Sequence, residues 1–234
     1  MTRYVLMWLE GPLQSWGADS KFNRRETLPF PSKSAVFGII LASLGARGDQ
    51  KSWRSQNVHG DFLVFAYTPE VAGQVIVPQL RDFQMVGSGY DIDDAWQREM
   101  VPKTSDRKMA VGGGTKMTYR YYLQDACFAV LVALDDAVAE SVADALSNPV
   151  YTISLGRKCC APSEFIYQGV FDTVDEGKKH AMALSRQKGK KLAFECLQGA
   201  FPDEGEVISV NDVPVAFGLH KQYTQRNVTV VSYS

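Results

Sequence analysis

From Tyr4 to Leu9 every position is apolar, Tyr4, Leu6 and Trp8 alternating with Val5, Met7 and Leu9, which predicts a central strand covered on both faces. Gly11-Pro12 ends it, and Gln14, Ser15, Trp16 and Gly17 read as an exposed loop. Lys21, Arg24 and Arg25 follow. Pro29-Phe30-Pro31-Ser32 then leads into a helix from about Lys33 to Leu44, with Ser32 or Ser34 as N-cap and Gly45 just past the end. Ala35, Val36, Phe37, Ile39, Ile40, Leu41 and Leu44 make this helix apolar almost all round, so it is buried. Gly38 predicts a close approach to another backbone.

Ala46 to Gly60 is polar apart from Trp53. Phe62 to Tyr67 and Val75 to Phe83 read as strands with Gly73 in the turn between them, hence a hairpin. From Gln84 to Thr118 periodicity fails: the segment holds Gly87, Gly89, Pro102 and the triplet Gly112 to Gly114. An irregular stretch of this length inside a compact domain is usually functional or disordered. Thr118 to Leu134 reads as one long strand. Asp135 or Asp136 then caps a helix to about Ser147, with Val138, Val142, Ala145 and Leu146 as its stripe and Asn148-Pro149 as its stop. Val150 to Leu155 reads as a strand before Gly156-Arg157-Lys158.

Strand–helix–strand, an excursion, then strand–helix–strand predicts an α+β chain with a ferredoxin-like (RRM-like) βαββαβ core. Leu192 to Leu197, Glu206 to Val210 and Val228 to Tyr233 read as short strands of an added sheet or hairpin. The predicted organisation is a core over residues 1–165 with a small C-terminal β extension, 166–234, packed on it.

Apolar residues make up 45% of the 234, and 22% are charged, an ordinary globular balance. The best apolar run, Ala35 to Leu44, is too short for a membrane span. The N-terminus lacks a signal-peptide layout, so the chain is expected in the cytoplasm, with no membrane partner. The four cysteines, Cys127, Cys159, Cys160 and Cys196, form no Cys-x-x-Cys pair, and His59, His180 and His220 are scattered. This pattern favours reduced structural thiols over zinc ligation.

Net charge is −1, but it is segregated. Arg98 to Arg120 holds six cations against Glu99 and Asp106, and Lys178 to Lys191 holds six with no carboxylate. The latter, with Gly189 inside it, reads as a partly disordered loop. A basic loop opening onto the N-terminus of a buried helix suits a phosphate; the same pattern also fits a solvated loop. Gly112 to Gly114 with Thr115-Lys116 lacks the Gly-Lys-Ser/Thr order and is no P-loop.

Several motifs occur together in order: Leu9 to Gly17 (LEGPLQSWG), Phe30-Pro31-Ser32-Lys33-Ser34 leading into Phe37 to Ile40, Leu80-Arg81-Asp82-Phe83, and Tyr119 to Leu123 before Asp125 to Phe128. Tyr151-Thr152 and Leu155 to Lys158 complete the set, with Pro214 and Tyr223 to Arg226 a looser fit. Over most of residues 3 to 170 the chain resembles the Cas-five-type (CasD) family of subunits of the type I-E CRISPR complex Cascade. The resemblance implies a non-enzymatic, cofactor-free subunit that grips the 5′ handle of the crRNA and caps the backbone filament. Its neighbours would be a Cas-seven-type backbone subunit and a large Cas-eight-type subunit, with target DNA touched only indirectly. It also implies a β-hairpin thumb, here at about Asp82 to Tyr121.

Single-stranded RNA is held by cations and helix N-termini on phosphates and by planar groups on bases. The RNA-binding candidates are therefore Lys21, Arg24, Arg25, Lys33, Arg81, Arg107, Lys108, Lys116, Arg120, Arg157 and Lys158, with Ser32 and Ser34 at the helix start. Trp16 and Tyr119 are stacking candidates and Gln14 a base-edge reader; core packing is the other reading of each aromatic. The alternative function is a metal-independent endoribonuclease processing CRISPR precursor RNA, as in type I-C relatives. For that, His220, Lys221 and Tyr223 lie close in sequence, but strand neighbours alternate faces.

Overall fold

The computed structural model describes residues 1–17, 23–69, 79–86, 91, 93–100, 103–108, 116–217 and 221–233. Its elements begin with β1 (Thr2–Glu10), β2 (Leu13–Gln14), β3 (Trp16–Gly17), β4 (Arg24–Arg25), β5 (Thr27–Leu28), α1 (Lys33–Ser43) and α2 (Lys51–Asn57). They continue with β6 (Phe62–Pro69), β7 (Gln79–Val86), α3 (Ala95–Met100), β8 (Lys116–Gln124), β9 (Cys127–Asp135) and α4 (Asp136–Ser147). The chain finishes with β10 (Tyr167–Phe171), α5 (Val174–Gln187), β11 (Lys190–Gln198), β12 (Glu206–Ala216) and β13 (Gln222–Ser232).

An antiparallel seven-stranded sheet in the order β10-β1-β9-β6-β11-β13-β12 forms the body. β1 lies inside it, and both its faces are buried, as its unbroken apolar run predicts. Val5, Met7 and Leu9 pack with α1 and α4, whereas Leu6 and Trp8 pack with Phe65, Leu131 and Ala181 of α5. β9 is buried from Cys127 to Leu134 for the same reason: helices cover both faces of its sheet. α5 sits so close to β9 that a Cβ on Gly177 would lie 2.6 Å from Leu131. Among the described residues, no helix is long and apolar enough to cross a membrane.

Four expectations need correction. β6 and β7 form no hairpin: β6 joins the large sheet, while β7 pairs with β8 in a smaller sheet that includes β2 and β4. The long strand from Thr118 to Leu134 is two strands in different sheets, because Asp125 takes a left-handed φ of 51° and turns the chain. Val150 to Leu155 is no strand. Val150 and Tyr151 instead donate backbone N–H groups to Ser43 and Ala42 at the end of α1, satisfying its last carbonyls. The basic run starting at Lys178 lies largely in α5, not a loop, and α5 is opened by a complete Thr173/Glu176 capping box. The C-terminal strands β11, β13 and β12 extend the main sheet.

Candidate nucleic-acid interface

The segment after β1, expected to be exposed, is buried. Gln14 and Trp16 are each 0% exposed. The Gln14 amide donates to the carbonyls of Leu9 and Ala126, and its oxygen accepts from the Trp16 indole at 3.1 Å. Trp16 N–H donates to Thr27 Oγ1 at 2.8 Å. This is a correction: neither side chain presents a face to solvent, and a buried amide is held by such bonds because losing them costs its desolvation. Together they brace the loop that holds Ser15 buried and brings Gly17 to the surface.

The start of α1 also differs from expectation. Ser32 occupies the N-cap position but its hydroxyl makes no capping bond. The Lys33 N–H donates to Asp212 Oδ2 at 2.6 Å, and Asp212 is held by Arg226 through two bonds of 2.6 and 2.9 Å. A carboxylate of β12 thus already sits where a phosphate was expected, an arrangement the helix dipole favours. Lys33 is buried too. Its ammonium donates to the Gly60 carbonyl and Gln198 Oε1 and lies 5.8 Å from the Phe62 ring. Burial, helped by the nearby Arg226 charge, lowers its pKa to about 8. Lys33 is therefore a fold residue rather than a surface cation.

One face of α1 stays open. It floors a cleft of about 810 Å³ lined there by Ser34, Ala35, Gly38, Ile39 and Ala42. Ser15, Gly17, Arg25 and Glu26 form one side, and Thr152, Ser154, Gly156 and Arg157 another; Asn211, Phe217, Lys221 and Tyr223 close it from the C-terminal strands. The turn at Gly156 brings two walls together: Ser15 N–H donates to the Leu155 carbonyl at 3.1 Å, and φ at Gly156 is +93°. A Cβ there would stand 1.8 Å from the Ser15 carbonyl oxygen, so only glycine fits. Gly38 reverses its expectation, since a Cβ added there meets nothing within 4 Å. Burial raises the Tyr223 pKa above its ordinary value.

Among the candidate cations, Arg25 is exposed at the cleft and Lys158 is exposed on the same turn as Arg157. Arg157 is tied down: it donates to the carbonyls of Tyr121 and Arg25 and lies 4.6 Å from the Tyr122 ring. Arg24 pairs with Glu26 at 2.8 Å and rests on Tyr121. On the β7–β8 ribbon, Phe83 meets Tyr119 at 5.3 Å with the Arg81 guanidinium 6.0 Å from the Tyr119 ring. Tyr119 and Arg120 are half-buried, and Arg120 lies opposite Asp82. Arg107 and Lys108 are exposed on a tight turn closed by Thr104. Lys116 ends the ribbon opposite Val86. Lys21, His220 and the Gly112 to Gly114 triplet lie outside the described residues.

Motif reasoning did not single out Asn211, Phe217 or Ser154; it named Thr152 only within the resemblance, Lys221 only for catalysis, and Tyr223 for both, none of them as RNA-binding residues. They come from segments far apart in sequence, so spacing carried no signal. Three of the six cations from Lys178 to Lys191 are paired. Lys178 pairs with Glu195 at 2.7 Å, Lys188 with Glu164 at 2.5 Å, and Lys190 with Glu10 at 3.3 Å.

Set beside known proteins, residues 4–229 match the family model described as CRISPR-associated protein (Cas_Cas5). The chain is 28% identical over 186 residues to the CRISPR system Cascade subunit CasD of Escherichia coli (strain K12), covering 76% of this chain and 75% of that protein. A chain from a structure titled CRISPR RNA-guided surveillance complex superposes with a TM-score of 0.69 at 27% identity, covering 98% of this chain and 89% of that one. A crystal structure of a Cas protein shares the fold, with a TM-score of 0.60 at 24% identity over 98% of this chain and 94% of that chain. With its model matched along nearly the whole length, the chain belongs to the CRISPR-associated Cas_Cas5 family.

Proposed function

We propose that the chain is a non-catalytic subunit of a type I-E RNA-guided surveillance complex, holding the 5′ handle of the crRNA in the cleft over α1. The observation that carries this reading is the cleft itself: a groove floored by a helix face, rimmed by Arg25, Arg157 and Lys221, and walled by serine, threonine and asparagine. Cations for phosphates beside small polar groups suit single-stranded RNA. The β7–β8 ribbon, with Phe83, Tyr119 and Arg81 on one face, serves as the thumb and meets the Cas-seven-type backbone subunit. The large Cas-eight-type subunit is the other neighbour, and DNA is reached only through the paired guide. The order β10-β1-β9-β6, with α1 after its first strand and α4 after its third, supports a ferredoxin-like core whose fourth strand is Tyr167–Phe171.

Arg25 and Lys221 are exposed, so they can be reversed without disturbing packing. The double substitution Arg25→Glu, Lys221→Glu should weaken binding of handle RNA and flatten the log–log salt dependence by about 0.7 per lost contact. An unchanged slope refutes the cleft as the RNA site. Repeat RNA incubated with the chain in EDTA should stay intact; cleavage at a single site refutes the non-catalytic assignment.

A further inference from the structure

Gly38 stands in the middle of α1, where glycine weakens a helix relative to alanine because its backbone loses more freedom on folding. Two structural demands ordinarily keep it there: a left-handed backbone, or a neighbour too close for a Cβ. Neither applies. The residue lies within regular helix, and a Cβ built on it meets no atom within 4 Å. The other face of the same helix, with Val36, Phe37 and Ile40, is fully packed. The empty space beside Gly38 is the cleft.

We propose that Gly38 is a specificity-determining residue: its missing side chain lets a single-stranded ribonucleotide lie flat on α1 while the flanking phosphates meet Arg25 and Lys221. The inference deepens the RNA-handle reading of the cleft and rests on it. Three features converge on the position. The groove is lined along α1 by Ser34, Ala35, Gly38 and Ala42 beside Ile39; it also carries the cations Arg25, Arg157 and Lys221; and Asn211 and Tyr223 offer hydrogen-bonding groups for a base edge. A longer side chain at residue 38 would rise into the groove between floor and wall. Exclusion by a clash of this kind discriminates by shape, not by charge.

The test uses the full chain, its thermal melt, and the anisotropy of a labelled single-stranded RNA bearing the handle sequence. Gly38→Ala should melt about 2–4 °C higher, as expected for a glycine with no structural duty in a chain of this length. Its RNA affinity should fall by about threefold, less than that of the leucine variant. Gly38→Leu should fold as the unaltered chain does but bind RNA at least about tenfold more weakly. Lower melting of Gly38→Ala would mean that the glycine serves packing, which overturns the proposal. If Gly38→Leu binds as tightly as the unaltered chain while Arg25→Glu, Lys221→Glu binds weakly, Gly38 alone has been misassigned. Failure of the unaltered chain to bind the RNA overturns both this inference and the reading beneath it.

Discussion

Lys33 is a residue at which burial and charge oppose each other. Its ordinary pKa of 10.5 falls to about 8 in the fold, chiefly because the ammonium is desolvated. Between those values the unfolded chain holds a proton that the folded chain has released, so this residue's share of stability rises with pH across that window. The melting temperature of the unaltered chain relative to Lys33→Met should therefore shift in favour of the unaltered chain between about pH 7 and about pH 10. A constant difference over that range refutes the assignment. Trp16 is the second case. Fully buried and hydrogen-bonded to Gln14, it should cost about 3–5 kcal/mol when cut to alanine, measured by denaturant unfolding. A cost under about 1 kcal/mol would return it to the surface role that its neighbours in sequence suggested. The sequence could not separate these outcomes. A tryptophan between Ser15 and Gly17 has no periodic neighbours, and its partner Thr27 is brought close only by the β3–β5 pairing.

Among the elements, those built from one continuous pattern were legible: β1, α1, β6, α4 and β11 all lie where period and breakers put them, whereas β13 begins at Gln222, six residues before the expected Val228. Elements whose limits depend on distant partners were not. β8 and β9 read as one aromatic and β-branched run with only Gln124-Asp125 to mark the break, and at Asp125 a backbone bond runs from its N–H to the Pro12 carbonyl. α5 was legible in principle through Thr173-x-x-Glu176, but the lysines after it drew the reading toward a loop. Since both bonds of that capping box are present, Thr173→Ala should destabilise the fold by about 1 kcal/mol, read as a lower urea midpoint with unchanged slope. No change would show that α5 is fixed by packing on Leu131 and Trp8 alone. Gly156→Ala should do far more harm than a typical turn substitution, because backbone angle and space both forbid a Cβ. Soluble expression and a cooperative melt equal to those of the unaltered chain would refute that.

At the level of the whole molecule, charge run and charged surface part company. The six cations from Lys178 to Lys191 looked like a nucleic-acid patch in sequence, yet Glu10, Glu164 and Glu195, contributed by other segments, pair with three of them. Lys179 and Arg186 remain exposed on α5, which covers the face of the sheet opposite the one where the cleft opens over α1. Lys179→Glu, Arg186→Glu should accordingly leave handle-RNA affinity within about twofold at moderate salt, in contrast to the reversal at Arg25 and Lys221. A loss comparable to that reversal would move the RNA path to the opposite face.

β1 leaves the ribosome before both its neighbours in the sheet, which are encoded more than a hundred residues later. At ordinary elongation rates a stretch with no polar side chain from Tyr4 to Leu9 but a tyrosine hydroxyl therefore waits on the order of ten seconds for its first partner. During translation this strand is a segment for chaperones to shield, and yields of the recombinant protein should rise with slower growth or co-produced holdases.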